Sequence, residues 1–155
     1  MVVLRIADGI RSHFPARASE WALAGIMAGW GWTLLRPVET FATSRAYSQM
    51  AVMADESTWG WGAITVGLVR LVALVVNGTF ANTVYARMSP HVRGLFAFFA
   101  CFIWLQITLG LIGSREIAPG VWAYGGLFAL DAYNAIRTFG EAAQTDRARR
   151  NAGAD

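Results

Sequence analysis

The sequence contains no lysine and one cysteine, and charged residues make up only 15% of its 155 residues. A single cysteine, Cys101, excludes an intramolecular disulfide and a Cys-x-x-Cys pair within this chain. The two histidines, His13 and His91, are far apart and give no ligand pattern for haem or metal. No Gly-rich phosphate-binding loop is present, and no serine has the histidine and acidic companions of a triad. We therefore expect no catalytic residues, no metal and no cofactor.

What the chain does contain is apolar sequence, since 55% of its residues are hydrophobic. A transmembrane helix needs about 20 predominantly apolar residues. Four stretches meet this need, at residues 19–35, 59–84, 94–113 and 118–136. The sequence therefore predicts an all-α polytopic membrane protein, a four-transmembrane-helix bundle in which residues 1–155 form one domain within the lipid bilayer.

The distribution of arginine predicts how these helices are oriented. Arginines are more frequent at the two ends of the chain and between the second and third helices than in the other two connections. By the positive-inside rule, the N- and C-termini are both cytoplasmic. Tryptophans near the predicted helix ends are interface anchors; they are Trp21, Trp30, Trp32, Trp59, Trp61 and Trp122.

Both terminal segments are expected to lie at the cytoplasmic membrane surface. Residues 1–18 form an amphipathic helix in which Val3, Ile6, Ile10 and Phe14 recur at helical spacing. Residues 137–155 form a basic tail with several arginines. Because this tail adjoins a membrane helix, it suits anionic lipid headgroups better than nucleic acid, and we expect no nucleic-acid partner.

Two ionisable residues interrupt the apolar stretches, and they are the most informative feature of the sequence. Arg70 lies about 11 residues into the second helix and Asp131 about 12 residues into the fourth, so at 1.5 Å per residue both are about 17 Å deep. The predicted topology makes these helices run in the same direction. A charge at bilayer depth costs roughly 3 kcal/mol on insertion scales, so we expect Arg70 and Asp131 to form an intramembrane pair.

This pair has two interpretations. It is either a structural contact that fixes the register of two helices, or part of a water-lined path, proton relay or ligand site. Four further polar residues inside the predicted helices favour the second alternative, although each is equally explained by an interhelical hydrogen bond; they are Asn77, Gln106, Tyr133 and Asn134. Trp104, in the middle of the third helix, is interpreted as a packing residue.

Small residues at four-residue spacing mark a packing face on the first helix. Gly25 and Gly29, with the adjacent Ala24 and Ala28, match the small-xxx-small pattern that lets helix backbones approach closely in lipid. The partner is either another helix of the same chain or a second copy in a homo-oligomer.

The longest connection, residues 37–58, is expected to be largely helical and to lie at the outer surface. Asp55 or Ser57 is the expected N-cap of the second membrane helix.

Four segments resemble small tetraspan membrane proteins of tailed phages and prophages, some of which are proposed to be holins. These segments are residues 54–61, 67–80 (GLVRLVALVVNGTF), 101–111 (CFIWLQITLGL) and 130–137 (LDAYNAIR). The resemblance implies a location in the bacterial inner (cytoplasmic) membrane. It carries no catalytic motif.

Three functions follow as hypotheses. The first is a non-enzymatic, holin-like protein whose oligomers permeabilise the membrane. The second is a small transporter or channel-like bundle that uses Arg70 and Asp131, and the third is an accessory membrane protein that excludes other phages or scaffolds a partner.

Overall fold

The computed structural model describes residues 2–37, 39–79, 84–114 and 119–152, and their side chains except those of residues 2–10, 12, 13, 78, 79, 84–87 and 152. These residues contain helices and no strands. The helices are α1 (Val2–Leu34), α2 (Thr40–Thr43), α3 (Ser48–Met53), α4 (Glu56–Thr79), α5 (Val84–Gly113) and α6 (Gly120–Ala152), with a 3-10 turn at Arg45–Tyr47. The predicted all-α class is confirmed.

Two helices are long and apolar enough to cross a membrane. They are Glu56–Asn77 within α4 and Met88–Gly113 within α5, which correspond to the second and third predicted spans. Neither α1 nor α6 is among them in the described part of the chain. Glycines, tryptophans and charged side chains lower the mean hydropathy of α1 and α6. These helices contain residues 19–34 and 120–136 of the predicted spans 19–35 and 118–136, and residue 118 lies outside the described residues.

The four long helices pack as a bundle. α1 packs along α4, α5 along α6, and α4 against α5. Arg17 of α1 and Arg93 of α5 both contact Glu141 of α6, which places these parts of three helices at one end of the bundle. We call this the charged end. The helix α6 continues through most of the predicted 137–155 tail, to Ala152.

A break divides α1 into two parts. Arg17 has non-helical backbone angles (φ −131°, ψ 20°), two residues after Pro15. Proline lacks the N–H that continues the helical hydrogen bonds, and its ring clashes with the preceding turn. The break therefore separates the predicted 1–18 segment from the helix that packs in the bundle.

Close packing of α1 on α4 depends on glycine. A Cβ at Gly67 would lie 2.6 Å from the backbone nitrogen of Ala28 and 2.7 Å from the carbonyl oxygen of Ala24. Ala24 and Ala28 therefore lie on the packing face, as their small size predicted. Gly25 and Gly29 do not, because they are exposed and a Cβ on either would meet no described atom within 4 Å.

Part of the connection between α1 and α4 packs into the core of the bundle. Ala46, Tyr47 and Met50 are buried. The carbonyl group of Ala46 lies against Gly110 of α5, where no side chain would fit. The segment is helical in part, as expected; its residues Val52 and Met53 are exposed.

Hydrogen bonds hold this connection to the start of α4. The Glu56 carboxylate accepts hydrogen bonds from the backbone nitrogens of Thr40 and Phe41, each at 3.1 Å. Asp55 is the N-cap of α4, because its Oδ1 accepts from the Thr58 backbone nitrogen at 3.2 Å. The hydrogen bonds from Thr58 and Ser57 lower the pKa of Asp55.

The contact between α1 and α4 gives a testable prediction. Gly67→Ala should destabilise the fold by about 1–3 kcal/mol, because the methyl group would force two helix backbones apart. Gly62→Ala, on the same helix with no described atom within 4 Å of its Cβ, should instead stabilise it by up to about 1 kcal/mol through helix propensity. Chemical unfolding in detergent micelles measures both. Equal effects would contradict the close approach.

Candidate functional site: a buried charge network

The two charged residues that the sequence analysis paired lie in direct contact. Arg70 Nη2 is 2.6 Å from Asp131 Oδ1, and the two residues are 2% and 0% exposed. The ion pair connects α4 with α6 at one level of the bundle. Charges buried at this depth need a partner of opposite sign and further hydrogen bonds to offset the cost of losing water.

Trp104 supplies the second hydrogen bond to this pair. Its Nε1 donates to Asp131 Oδ2 at 3.1 Å, and its side chain is fully buried. Asp131 therefore joins three helices, α4 through Arg70, α5 through Trp104 and its own α6. Interpreting Trp104 as a packing residue alone missed this contact, although a buried indole N–H generally requires an acceptor.

A second buried network lies at the charged end, and sequence analysis did not identify it. Glu20 accepts a two-pronged contact from Arg93, with Nε at 2.8 Å and Nη2 at 2.7 Å. Arg137 donates to the same carboxylate and also to the carbonyl oxygen of Ala16 at 3.0 Å. One acid of α1 therefore binds arginines from both α5 and α6.

Glu141 extends this network towards the surface. Its Oε2 lies 3.4 Å from Arg17 Nη2 and 3.3 Å from Arg93 Nη1. Partial burial, together with the nearby charge of Arg93, lowers the pKa of Arg17. The network contains three arginines and two glutamates, so its net charge is +1.

The predicted intramembrane polar residues fall in different places. Asn134 is fully buried, and its Oδ1 accepts a hydrogen bond from Ser19 Oγ at 3.1 Å. Gln106 and Asn77 are half-buried. Tyr133 is 59% exposed on the outer surface of the bundle, so it lies away from the charged pair. Of the four, the structure brings only Asn134 into the buried polar interior.

The predicted interface tryptophans also divide into groups. Trp32, Trp61 and Trp122 are exposed, and Trp21 is half-buried. Trp59 donates from its indole nitrogen to the carbonyl oxygen of Met50 at 3.0 Å. Trp30 is half-buried and packs edge-on against Trp104, with ring centroids 5.8 Å apart.

An aromatic cluster fills the bundle on the side of Asp131 opposite the charged end. We define it as Trp30, Tyr47, Trp104 and Tyr124. Trp104 lies 5.9 Å from Tyr124, and Trp30 lies 6.4 Å from Tyr47, between ring centroids. Burial, reinforced by the neighbouring Tyr124, raises the pKa of Tyr47, which keeps this hydroxyl neutral.

The histidines lie outside these networks as far as their side chains are described. His91 Nε2 is 3.1 Å from Asp146 Oδ2 at an exposed position, and the side chain of His13 lies outside the described set. Among the described residues, no group of three or more histidine, cysteine or acidic side chains is arranged to hold a metal ion.

Comparison with known proteins gives no family for this chain. No protein-family model matches it, and no curated protein or solved structure is significantly similar to it. Any function must therefore be argued from the residues themselves.

The central ion pair makes a testable prediction about stability. Arg70→Met or Asp131→Leu alone should cost about 3 kcal/mol, because each leaves a buried charge without its partner. The double variant should recover much of this loss. A double-mutant cycle measured by chemical unfolding in micelles gives the coupling energy, and Leu130→Ala, at an exposed neighbouring position, is the control. Additive single effects would contradict the pairing.

Proposed function

We propose that this protein is a four-span integral membrane protein of the bacterial inner membrane, with both termini cytoplasmic, that acts without catalysis as a holin-like oligomer. The observation that carries the membrane part is the distribution of polarity. Arg70, Arg93, Glu20 and Asp131 are among the most buried side chains. Soluble proteins rarely bury so many charges and rarely expose large contiguous apolar surfaces.

The outer surface of the bundle has the complementary composition. Large apolar side chains are exposed along every long helix; they include Ile26, Leu68, Val72, Phe98, Phe102, Ile112, Leu130, Ile136 and Phe139. An open apolar cavity of about 340 Å³ lies between α4 and α5, and its lining includes Val72, Val76 and Met88. Lipid chains would cover these surfaces, so the bilayer is the partner that they suit.

The same distribution supports spans in α1 and α6, whose mean hydropathy is low. Glu20 and Asp131 lower it, but both side chains face inward and are paired with arginine. A lipid bilayer contacts only the outward face of a helix, where these two helices expose apolar side chains such as Ile26 and Ile136. Inward-facing pairs are the usual arrangement of charges in membrane helices.

The orientation is supported by the arginine distribution and by the charged end. Arg17, Arg93 and Arg137 lie there together, which suits the cytoplasmic side. Arg147, Arg149 and Arg150 are exposed on the continuation of α6. Anionic lipid headgroups are their proposed partners.

Oligomerisation is supported by the open face of α1. Gly25 and Gly29 are exposed at the four-residue spacing that favours helix association in lipid. Because Ala24 and Ala28 already pack on α4, the glycine face remains for a second copy. Together with the resemblance to phage tetraspan proteins, this face favours the holin-like hypothesis over a scaffold or exclusion protein.

A transporter or channel-like bundle is the second candidate, and one specific observation favours it. The buried Arg70 Nη1 and Asn134 Nδ2 have no hydrogen-bond partner among the described residues. Buried donors of this kind are costly unless a small polar molecule accepts from them.

The topology is testable with single cysteines in a Cys101→Ala background. Val52→Cys, at an 89% exposed position in α3, should react with a membrane-impermeant maleimide in spheroplasts. Arg149→Cys should react only after permeabilisation. The opposite pattern, or reaction of both residues before permeabilisation, would exclude the proposed orientation.

The lytic function is testable by co-expression with an endolysin that lacks its own export signal. The wild-type protein should cause abrupt lysis that requires both genes. Gly25→Leu with Gly29→Leu should abolish lysis and chemical crosslinking of copies while leaving the monomer folded, because a Cβ at either position would meet no described atom of the same chain within 4 Å.

Two matched variants control for the size of leucine on a helix surface. Gly62→Leu on α4 and Gly126→Leu on α6 also place leucine at open, exposed positions, and both should retain lysis. Normal growth with the correctly inserted wild-type protein would exclude the holin-like function.

A further inference from the structure

A polar cleft lies at the end of the bundle opposite the charged end. Its volume is about 380 Å³, and it lies between the start of α3 and the last turn of α5. Gly110, in its lining, follows Arg93 of the charged end by about 17 residues along α5, which is a rise of about 26 Å. The hydrocarbon core of a bilayer is about 30 Å thick. With the charged end at one membrane surface, the cleft therefore lies at the headgroup level of the other leaflet.

The cleft presents hydrogen-bond donors whose side chains are not used elsewhere in the described structure. Arg45, Ser48 and Gln49 line it and are exposed, and their side chains form no hydrogen bond or ion pair among the described residues. The other lining residues are Gly110, Gly113 and Ser114. Arg45 is therefore the only charged residue among the described residues of the lining. A guanidinium group beside hydroxyl and amide donors matches the acceptor oxygens of a phosphate group.

An apolar cavity of about 350 Å³ lies along the same face of α5. Phe99, Ile103, Gln106, Gly110 and Gly113 follow one another at three- or four-residue spacing, so they share this face. The first two line the apolar cavity, and the last two line the polar cleft. Ile103 and Gly110 are about 10 Å apart along the helix axis, a distance shorter than a fatty acyl chain.

The short helix α3 borders both spaces. Ser48 and Gln49 at its start line the cleft, and Met53 at its end lines the apolar cavity together with Trp59 and Gly62 of α4. Both volumes lie within the range of small-molecule sites, about 300–1,000 Å³. A ligand that occupies both spaces needs an anionic group at one end and an apolar chain at the other, which is the structure of a phospholipid.

We infer that the cleft and the apolar cavity form one binding site for a phospholipid, with its phosphate on Arg45 and one acyl chain against Phe99 and Ile103. This lipid is held at a fixed place, unlike the lipid chains that cover the rest of the apolar surface. The inference rests on the proposed membrane placement, and it does not depend on lytic activity.

The test measures lipid retention by native mass spectrometry of protein purified in micelles. The exposed arginines of the tail are replaced by glutamine in every protein, so that lipid bound there does not contribute; they are Arg147, Arg149 and Arg150. With added dioleoyl phosphatidylglycerol, the protein should retain one lipid per chain. Dioleoylglycerol, which lacks the phosphate, and glycerol phosphate, which lacks the acyl chains, should each bind about tenfold more weakly or less.

Two variants and two matched controls locate the site. Arg45→Gln should weaken retention about tenfold, the effect of losing one hydrogen bond to a charged group. Gly62→Phe should also weaken it, because the ring would occupy the apolar cavity. Arg36→Gln removes an exposed arginine that follows α1 and does not line the cleft, and Gly126→Phe adds a ring at an open position of α6. Both controls should retain the lipid.

The outcomes separate the two halves of the site. Unchanged retention in Arg45→Gln, or equal binding of dioleoylglycerol, would overturn the phosphate contact. Unchanged retention in a Gly62→Phe protein of normal helicity and gel-filtration volume, or equally strong binding of glycerol phosphate, would overturn the acyl-chain contact. Loss of crosslinking between copies in Arg45→Gln, with lipid retention unchanged, would overturn the lipid site and assign the cleft to a second copy.

These readouts are independent of the proposed function. Binding in micelles requires neither lysis nor a defined orientation, so failure of the holin-like function would leave the lipid result unaffected. The leaflet from which the lipid comes is decided by the labelling of Val52→Cys, because Val52 lies on α3. Its reaction in spheroplasts places the site in the outer leaflet.

Discussion

The contact between Arg70, Asp131 and Trp104 is the interaction on which the rest of the bundle depends. It fixes α4, α5 and α6 at one level, and it does so in surroundings where water does not compete. Forming a buried ion pair costs the hydration of both charges, and removing one partner leaves the other charge buried and unpaired. The pair therefore fixes the relative register of the helices more strongly than it adds net stability. The small-residue contact of α1 with α4 then places the remaining helix.

The two buried networks also divide the interior into regions of different character. On one side of Asp131 the core contains charges, amides and hydroxyls, and on the other it contains aromatic rings and methionine side chains. The connection between α1 and α4 completes the second region, because Tyr47 and Met50 come from it. If this segment were a surface loop, the aromatic region of the interior would be open to its surroundings. The inward folding of the segment therefore gives the interior one polar region and one closed apolar region.

Sequence reasoning recovered the features that depend on local pattern. The all-helical class, the N-cap at Asp55 and the facing of Arg70 and Asp131 follow from periodicity, turn chemistry and the cost of a charge at depth. The network around Glu20 could not be predicted in the same way, since its partners Arg93 and Arg137 are 73 and 117 residues away and arginines near helix ends are more simply explained by topology. The small residues of α1 show the same limit, because their spacing does not say which partner each residue contacts: Ala24 and Ala28 lie against α4, whereas a Cβ at Gly25 or Gly29 would meet no described atom of the chain within 4 Å.

The shared carboxylate of Glu20 has a consequence for how the chain is assembled. During synthesis α1 emerges first, and its acid has no partner in the nascent protein until α5 brings Arg93 and α6 brings Arg137. The early chain therefore carries an acid whose two arginine partners come from later helices. Stable packing of this part of α1 would be reached only once α5 and α6 have joined it, which makes assembly of the bundle cooperative from its N-terminus to its C-terminus.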